Sequence, residues 1–427
     1  MLPLRGRLAL TLLASLALWL LLGGCGPGPR RAARLRAAAG PTPTVQPTPR
    51  PIAVGVTVSL SGRFSSEGAA LRAGYQTWER AANEAGGVRL GGEVRPVRLV
   101  IYDDESDPLT AVRLVERLVE QDGVSLLLGP YSSPLTAATA TTAERLGILT
   151  IAPDASAPSL YARGLRMLVS VLPTDDRYFE GLLELLSGLT PRPRTLALFV
   201  PDEPFFTTAT AAATDRARAI GIEPMIERYA LDAREVLAPL DRIAQARPDV
   251  LVVGGEPERL ALFLPQFREL RLAPPLRAVV ASQRTHDLLS ALGASSEGVV
   301  ALDWWAAGLG VSGPLFGSAR EFAGRFQQQH GYPPDARGAA AAAAGLALQL
   351  GLERAGNEDP TLVRAALGEL EVQTFWGRLA WDSAGRNRAA TVPALQFGGG
   401  RPRVVYPPEA AETQIRYPLS DASWGGR

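Results

Sequence analysis

From Ile52 onward the chain alternates short apolar runs with amphipathic stretches: IAVGVTVSL, LRAGYQTWERAANEAGG, VRLVIYDD, LTAVRLVERLVEQDG, VSLLLGP, LTAATATTAERLG and ILTIAP. Each apolar run is nearly continuous in hydrophobicity, as in a strand covered on both faces. Each intervening stretch spaces its apolar residues three and four apart, as in a helix with one buried side. This order predicts a parallel, doubly wound α/β sheet. A second series begins near Thr195 with TLALFVPD, TTATAAATDRARAIG and MIERYAL, continues through VLVVGG, RAVVAS and EGVVALDWW, and repeats the architecture. Residues 315–370 read as helices. A strand-like pair, FWGRLAWDSAGRNR and ATVPALQFGGG, is expected to close the fold.

Two such halves suit a length of 427 residues, which exceeds the size at which one core usually stops growing. Doubly wound sheets bind ligands at the carboxyl ends of their strands, where loops lead into helix N-termini. If the halves face each other, those two edges form the walls of a cleft.

The N-terminus breaks the pattern. MLPLRGR is basic, LALTLLASLALWLLL is apolar, and GGC closes the segment, which describes an export signal rather than a spanning helix. The single cysteine, Cys25, follows Leu22-Gly23-Gly24, and this resembles the lipobox of bacterial lipoproteins, in which that cysteine is lipidated and becomes the mature N-terminus. The alternative is an ordinary secreted protein with a chance cysteine. The run GPGPRRAARLRAAAGPTPTVQPTPRP that follows has little to bury and reads as a tether. One cysteine excludes an internal disulfide and a zinc-finger type of metal site.

Residues 1–50 hold seven arginines and no acid, which leaves six net negative charges on the rest of a chain whose total is +1. That argues against a nucleic-acid partner, since phosphate binding relies on a basic footprint.

Candidate chemistry gathers at three loops. After VSLLLG the chain turns, and Ser132 and Ser133 fall just before a helix, where hydroxyls and unpaired N–H groups meet the positive end of the helix dipole. Local sequence leaves open whether this is only a helix cap or a site for a carboxylate or other polar group. ILTIAPDASAPSL makes a second polar lip with Asp154, Ser156 and Ser159, and SLSGRFSSEG a third with Ser61, Ser65 and Ser66. Catalytic patterns are missing: there is no Walker A or GxSxG run, and His286 and His330 have neither metal nor triad spacing. Asp103-Asp104-Glu105 reads as an exposed strand end or helix cap, with a metal site as the alternative. Trp304-Trp305 offers either hinge packing or an aromatic wall for a ligand.

Taken in order, SLSGRFSSEGAALRAGYQTWERAANEAGGV, VIYDDESDPLTAVRLVERLVEQDGVSLLLGPYSS, GILTIAPDASAPSL, FQQQHGYPPDARGAAAAAAGLAL and FWGRLAWDSAG resemble the substrate-binding proteins of ABC importers of the branched-chain amino acid (Leu/Ile/Val-binding) type, with the type I periplasmic binding protein fold. The resemblance runs from Ile52 to about Gln396. It implies two Rossmann-like lobes joined by a three-crossing hinge: residues 52–172 with 305–376 in one, 173–304 with 377–400 in the other, and 401–427 as a tail. It further implies that Ser133, supported by Ser132, and the turn of Asp154, Ala155 and Ser156 hold one end of the ligand. The opposite wall departs from the family pattern. Glu67 replaces a first-loop aromatic, Phe205 and Glu256 replace tyrosines, and the acid that pairs with the ligand ammonium falls near Gln283 or Arg284. Trp305 completes the expected wall.

The resulting expectation is an exported, lipid-anchored monomer on the extracytoplasmic face of a bacterial membrane. It would capture a small polar ligand, an amino acid or an amide-like molecule, and deliver it to an ABC permease. Neither a cofactor nor an enzymatic reaction is expected. A cell-envelope sensor that uses the same fold is the alternative, because fold does not decide between these roles.

Overall fold

The computed structural model describes residues 50–280, 288 and 292–419. The expected export signal, Cys25, the expected tether up to residue 49, Gln283, Arg284 and His286 lie outside them. Among the described residues no helix is long and apolar enough to cross a membrane.

The first sheet consists of β1 (Ile52–Val58), β2 (Val97–Asp103), β3 (Leu126–Leu128), β4 (Leu149–Ala152) and β5 (Leu168–Ser170), in the order β2-β1-β3-β4-β5 and parallel throughout. The strand period of two sorts its side chains into two layers. Ile52, Val54, Val56, Leu126, Leu128, Leu149 and Ile151 join the main core, whereas Leu127 joins Val115, Leu118, Ala143 and Ile148 in a second cluster on the other face. Helix α1 (Ser65–Glu84) covers the first face, and α2 (Pro108–Glu120) and α3 (Ser133–Leu146) cover the second.

The second sheet consists of β6 (Thr195–Pro201), β7 (Glu223–Tyr229), β8 (Val250–Gly254), β9 (Leu276–Val280), β10 (Val300–Leu302), β11 (Ala394–Gly398) and β12 (Arg401–Tyr406), in the order β12-β11-β10-β9-β8-β6-β7. β6 to β10 are parallel, and β11 and β12 run antiparallel to their neighbours. Helix α4 (Pro204–Ala219) follows β6, and α5 (Pro257–Glu269) follows β8.

Helix α6 (Ala336–Ala355) returns to the first lobe and packs along α1. The two backbones meet at Gly74, where a Cβ would lie 2.1 Å from the Gly338 carbonyl oxygen, so only hydrogen fits. Gly68 does the same at the start of α1, since a Cβ there would fall 1.9 Å from the Ser59 carbonyl oxygen. These approaches bring the first turns of α1 and α6 to the carboxyl edge of the first sheet.

Three crossings join the lobes side by side. The Tyr178 hydroxyl donates to the Leu302 carbonyl at 2.8 Å, and the Asn387 side-chain amide to the Val171 carbonyl at 2.8 Å. The third crossing lies later than the expected break after residue 376. The Trp381 indole N–H donates to the Ser170 carbonyl at 2.6 Å and the Ser170 amide to Gly385 at 2.9 Å, which keeps residues 377–387 with the first lobe. The expected tail is also corrected, because Arg401–Tyr406 pairs with β11 as the edge strand of the second sheet. The two closing segments do not pair with each other: Glu371–Thr374 and Gly377–Ala380 form their own hairpin, and Ala394–Gly398 lies between β10 and β12.

Candidate functional site

Strand order reverses between β1 and β3 in the first sheet and between β6 and β8 in the second, and such switch points open a crevice at the carboxyl ends of the strands. Ser132 and Glu67 follow the first pair of strands; Glu203, Phe205 and Glu256 follow the second.

The loop after β1 is fixed by the acidic cluster. One Asp103 carboxylate oxygen accepts the amides of Leu60 at 2.8 Å, Ser61 at 3.2 Å and Glu105 at 2.9 Å, while the Ser59 hydroxyl donates to Asp104 at 2.6 Å. These carboxylates serve as loop ties, and among the described residues no group of three or more His, Cys, Asp or Glu could hold a metal ion. The loop so held presents Phe64, whose ring meets Tyr131 edge-on at 5.1 Å. His330 lies apart, with its Nε2 2.9 Å from the Thr77 hydroxyl.

At the end of β3, Ser132 takes the extended N-cap conformation of α3, and its carbonyl accepts the Thr136 amide at 2.8 Å. Its hydroxyl makes no cap bond; it is buried and has no hydrogen-bond partner among the described residues. The Ser133 hydroxyl accepts the Ala157 amide at 3.3 Å and ties this turn to the loop after β4. Ser133 thus ties the turn to the neighbouring loop, and Ser132 carries the hydroxyl that has no partner among the described residues.

In the loop after β4, Asp154 and Ala155 are buried and Ser156 is half-buried. The Ser156 carbonyl accepts the amide of Asp175 at 2.8 Å, which binds this lip to the first crossing. Asp175 is buried, and one of its carboxylate oxygens has no hydrogen-bond partner among the described residues. Burial, with the nearby charges of Asp154 and Asp176, pushes its carboxyl up to about 7.

Helix α6 adds a cation that sequence reasoning missed. Asp335 caps the helix by accepting the Gly338 amide at 2.8 Å, and Arg337 in the first turn is buried. Its guanidinium carbon lies 5.3 Å from the Tyr131 ring centre, and its nitrogens lie 3.9 Å from Glu67 and 3.9 Å from Asp335. Burial works against its charge, but Tyr131, Asp154, Asp335 and Glu67 outweigh it and raise the guanidinium above its ordinary value. Burial and the charge of Asp154 push the Tyr131 hydroxyl up to about 12. The signal in the sequence was one arginine at the head of ARGAAAAAAGLAL, a helix otherwise built to be buried.

On the second lobe, Glu203 precedes α4 and Phe205 lies in its first turn. The Phe205 ring packs on Tyr178 at 5.0 Å, and Tyr178 packs on Trp304 at 4.8 Å, which makes an aromatic floor beside the crossings. Burial, then the charge of Glu256, raises the Glu203 carboxyl. Glu256 itself is exposed just ahead of α5. Trp305 does not line this wall. Its indole N–H donates to the Phe375 carbonyl at 3.0 Å, and its ring packs against Phe322 at 5.7 Å. Successive side chains on the crossing point to opposite sides, so Trp304 meets the floor and Trp305 the core.

A family model described as periplasmic binding protein matches residues 51–400. The leucine-, isoleucine-, valine-, threonine- and alanine-binding protein of Pseudomonas aeruginosa is 23% identical over 327 residues, 76% of this chain and 84% of that protein. Among solved structures, the branched-chain amino acid transporter substrate-binding protein of Streptococcus pneumoniae, in complex with isoleucine, superposes with a TM-score of 0.65 at 18% identity, covering 84% of this chain and all 100% of that one. An ABC transporter solute-binding protein of R. palustris, in complex with benzoate, superposes with a TM-score of 0.63 at 18% identity over 86% of this chain and 98% of its own. At such identity these structures share the two-lobed fold with this chain, and the ligands are theirs. The match over residues 51–400 is decisive for family: the chain belongs to the periplasmic binding proteins.

Proposed function

We propose that the protein is an extracytoplasmic solute receptor that captures a small polar ligand, an amino acid or amide-like molecule, between its lobes and delivers it to an ABC importer. The observation that carries this reading is the buried Ser132 hydroxyl, without a hydrogen-bond partner among the described residues, at the switch point of the first sheet directly before the N-terminus of α3. A buried polar group without a partner costs roughly 1–3 kcal/mol, which a ligand donor or acceptor recovers. On this reading Ser132, Ser133, Asp154, Ala155 and Ser156 receive one end of the ligand; Glu67, 3.9 Å from Arg337, joins them instead of the opposite wall expected for it, and Phe205 and Glu256 face the other end. With the lobes apart both edges are hydrated. Ligand adds contacts that exist only when they meet, so binding shifts the open-to-closed equilibrium toward a form that a permease can recognise. Lipidation at Cys25 and the tether that follows would hold this monomeric receptor at the membrane.

The test is a thermal-shift screen of amino acids, amides, small acids and polyamines, since a ligand that binds only the folded state raises the melting temperature. A ligand that stabilises the protein and loses affinity in Ser132→Ala supports the reading. Turnover of that ligand by the purified protein, abolished by substitutions in the cleft, would replace it with an enzyme.

A further inference from the structure

The charges around the first-lobe lips do not balance. Arg337 is faced by Glu67 and Asp335 at 3.9 Å each and by the charge of Asp154. Beyond Asp154 lies Asp175, which is 5% exposed and which feels, among the described residues, the further negative charges of Asp154 and Asp176. Among the described residues the Ser156 hydroxyl is its favourable neighbour, and one of its carboxylate oxygens has no hydrogen-bond partner. On the facing wall the Glu203 carboxyl feels the charge of Glu256, with Arg259 beside them, so the surplus belongs to the first-lobe lips. A ligand whose charges sum to zero would bring its own carboxylate into this surplus. A ligand with a surplus cation would compensate it and fill the open acceptor with a charged donor, the stronger kind of hydrogen bond.

We infer that the ligand is a net cation, whose ammonium or guanidinium group sits against the Asp154–Asp175 carboxyl pair at the hinge end of the cleft. The inference rests on the receptor reading above and names its ligand class. Asp175 lies on the first crossing and is bonded through its amide to the Ser156 lip, so a cation held there touches both the binding loop and the hinge.

Isothermal titration of the purified protein tests this with two sets of probes: L-arginine, L-lysine, agmatine and putrescine against L-leucine, L-isoleucine and L-valine. The expected result is that at least one cationic probe binds about tenfold or more tighter than any aliphatic amino acid. It should weaken by about tenfold in both Asp154→Asn and Asp175→Asn, with thermal melts confirming that the variants fold. Should an aliphatic amino acid bind as tightly as the cations, the cation inference fails and the receptor reading stands. Cation binding that is unchanged in both variants overturns the proposed seat. If no probe of either set binds and the wider screen finds no ligand, both readings fail together.

Discussion

The Ser133 hydroxyl accepts the amide of Ala157, so the turn that opens α3 and the loop after β4 form one structural unit. Ser132, its neighbour, contributes a buried hydroxyl with no hydrogen-bond partner among the described residues. The two alanine substitutions should therefore part company. Ser133→Ala is expected to cost about 1 kcal/mol of stability, the net worth of one such bond, and to weaken ligand through the loosened loop. Ser132→Ala removes a buried hydroxyl that has no partner among the described residues, so it should raise the melting temperature of the free protein and reduce affinity directly. Melting curves with and without ligand separate the two; equal loss of stability in both would show that the Ser133 tie is not what holds the loop.

Asp175 predicts a pH dependence of the free protein. Its folded carboxyl titrates at about 7 against an ordinary 3.8, so between those values the folded state keeps a proton that the unfolded state has lost. Stability should fall as pH rises from about 4 to about 7, by at most about 1.4 kcal/mol per pH unit. Asp175→Asn removes this contribution. Melting temperatures at about pH 5 and about pH 8 should converge in the variant, and an unchanged difference would mean that another group is responsible.

Arg337 is surrounded by carboxylates in a buried position. Replacing it with methionine keeps most of its volume but leaves those charges uncompensated, for which the expected loss is about 3 kcal/mol or more at neutral pH. Chemical denaturation of Arg337→Met measures it; a loss below about 1 kcal/mol would place the pair in the class of solvent-screened ion pairs.

Gly74 faces the Gly338 carbonyl oxygen with no room for a methyl group. Gly74→Ala must push α6 away from α1, at an expected cost of about 1–3 kcal/mol. The same shift displaces Arg337, so ligand affinity should fall with stability although Gly74 touches no ligand. Affinity that stays constant while stability drops would uncouple α6 from the site.

Trp305→Ala should cost about 3–5 kcal/mol through the cavity it leaves among Phe322 and Phe375. Trp305→Phe, which keeps most of the volume, should bind ligand like the parent. A selective loss of affinity in Trp305→Phe, measured by titration, would return this residue to the ligand wall.

The alternation of apolar runs and amphipathic stretches was enough to determine two doubly wound sheets, because strand and helix periods are local properties of consecutive residues. It also located the hydroxyl-bearing turns at Ser132 and Asp154, since those follow directly from where a strand ends and a helix begins. Tertiary structure decided what those turns face. Arg337 reaches Glu67 and Tyr131 from a helix that follows in the chain by more than 200 residues, and no local pattern encodes that approach. Asp175 acquires its environment only because the first crossing lies against the Ser156 lip. Which of two adjacent tryptophans meets the cleft floor depended on the path of a crossing, and the place of Arg401–Tyr406 depended on an open sheet edge beside β11. Periodicity fixes which residues are buried and exposed within an element. Contacts between distant elements fix the charge, the open acceptors and therefore the kind of ligand the cleft will hold.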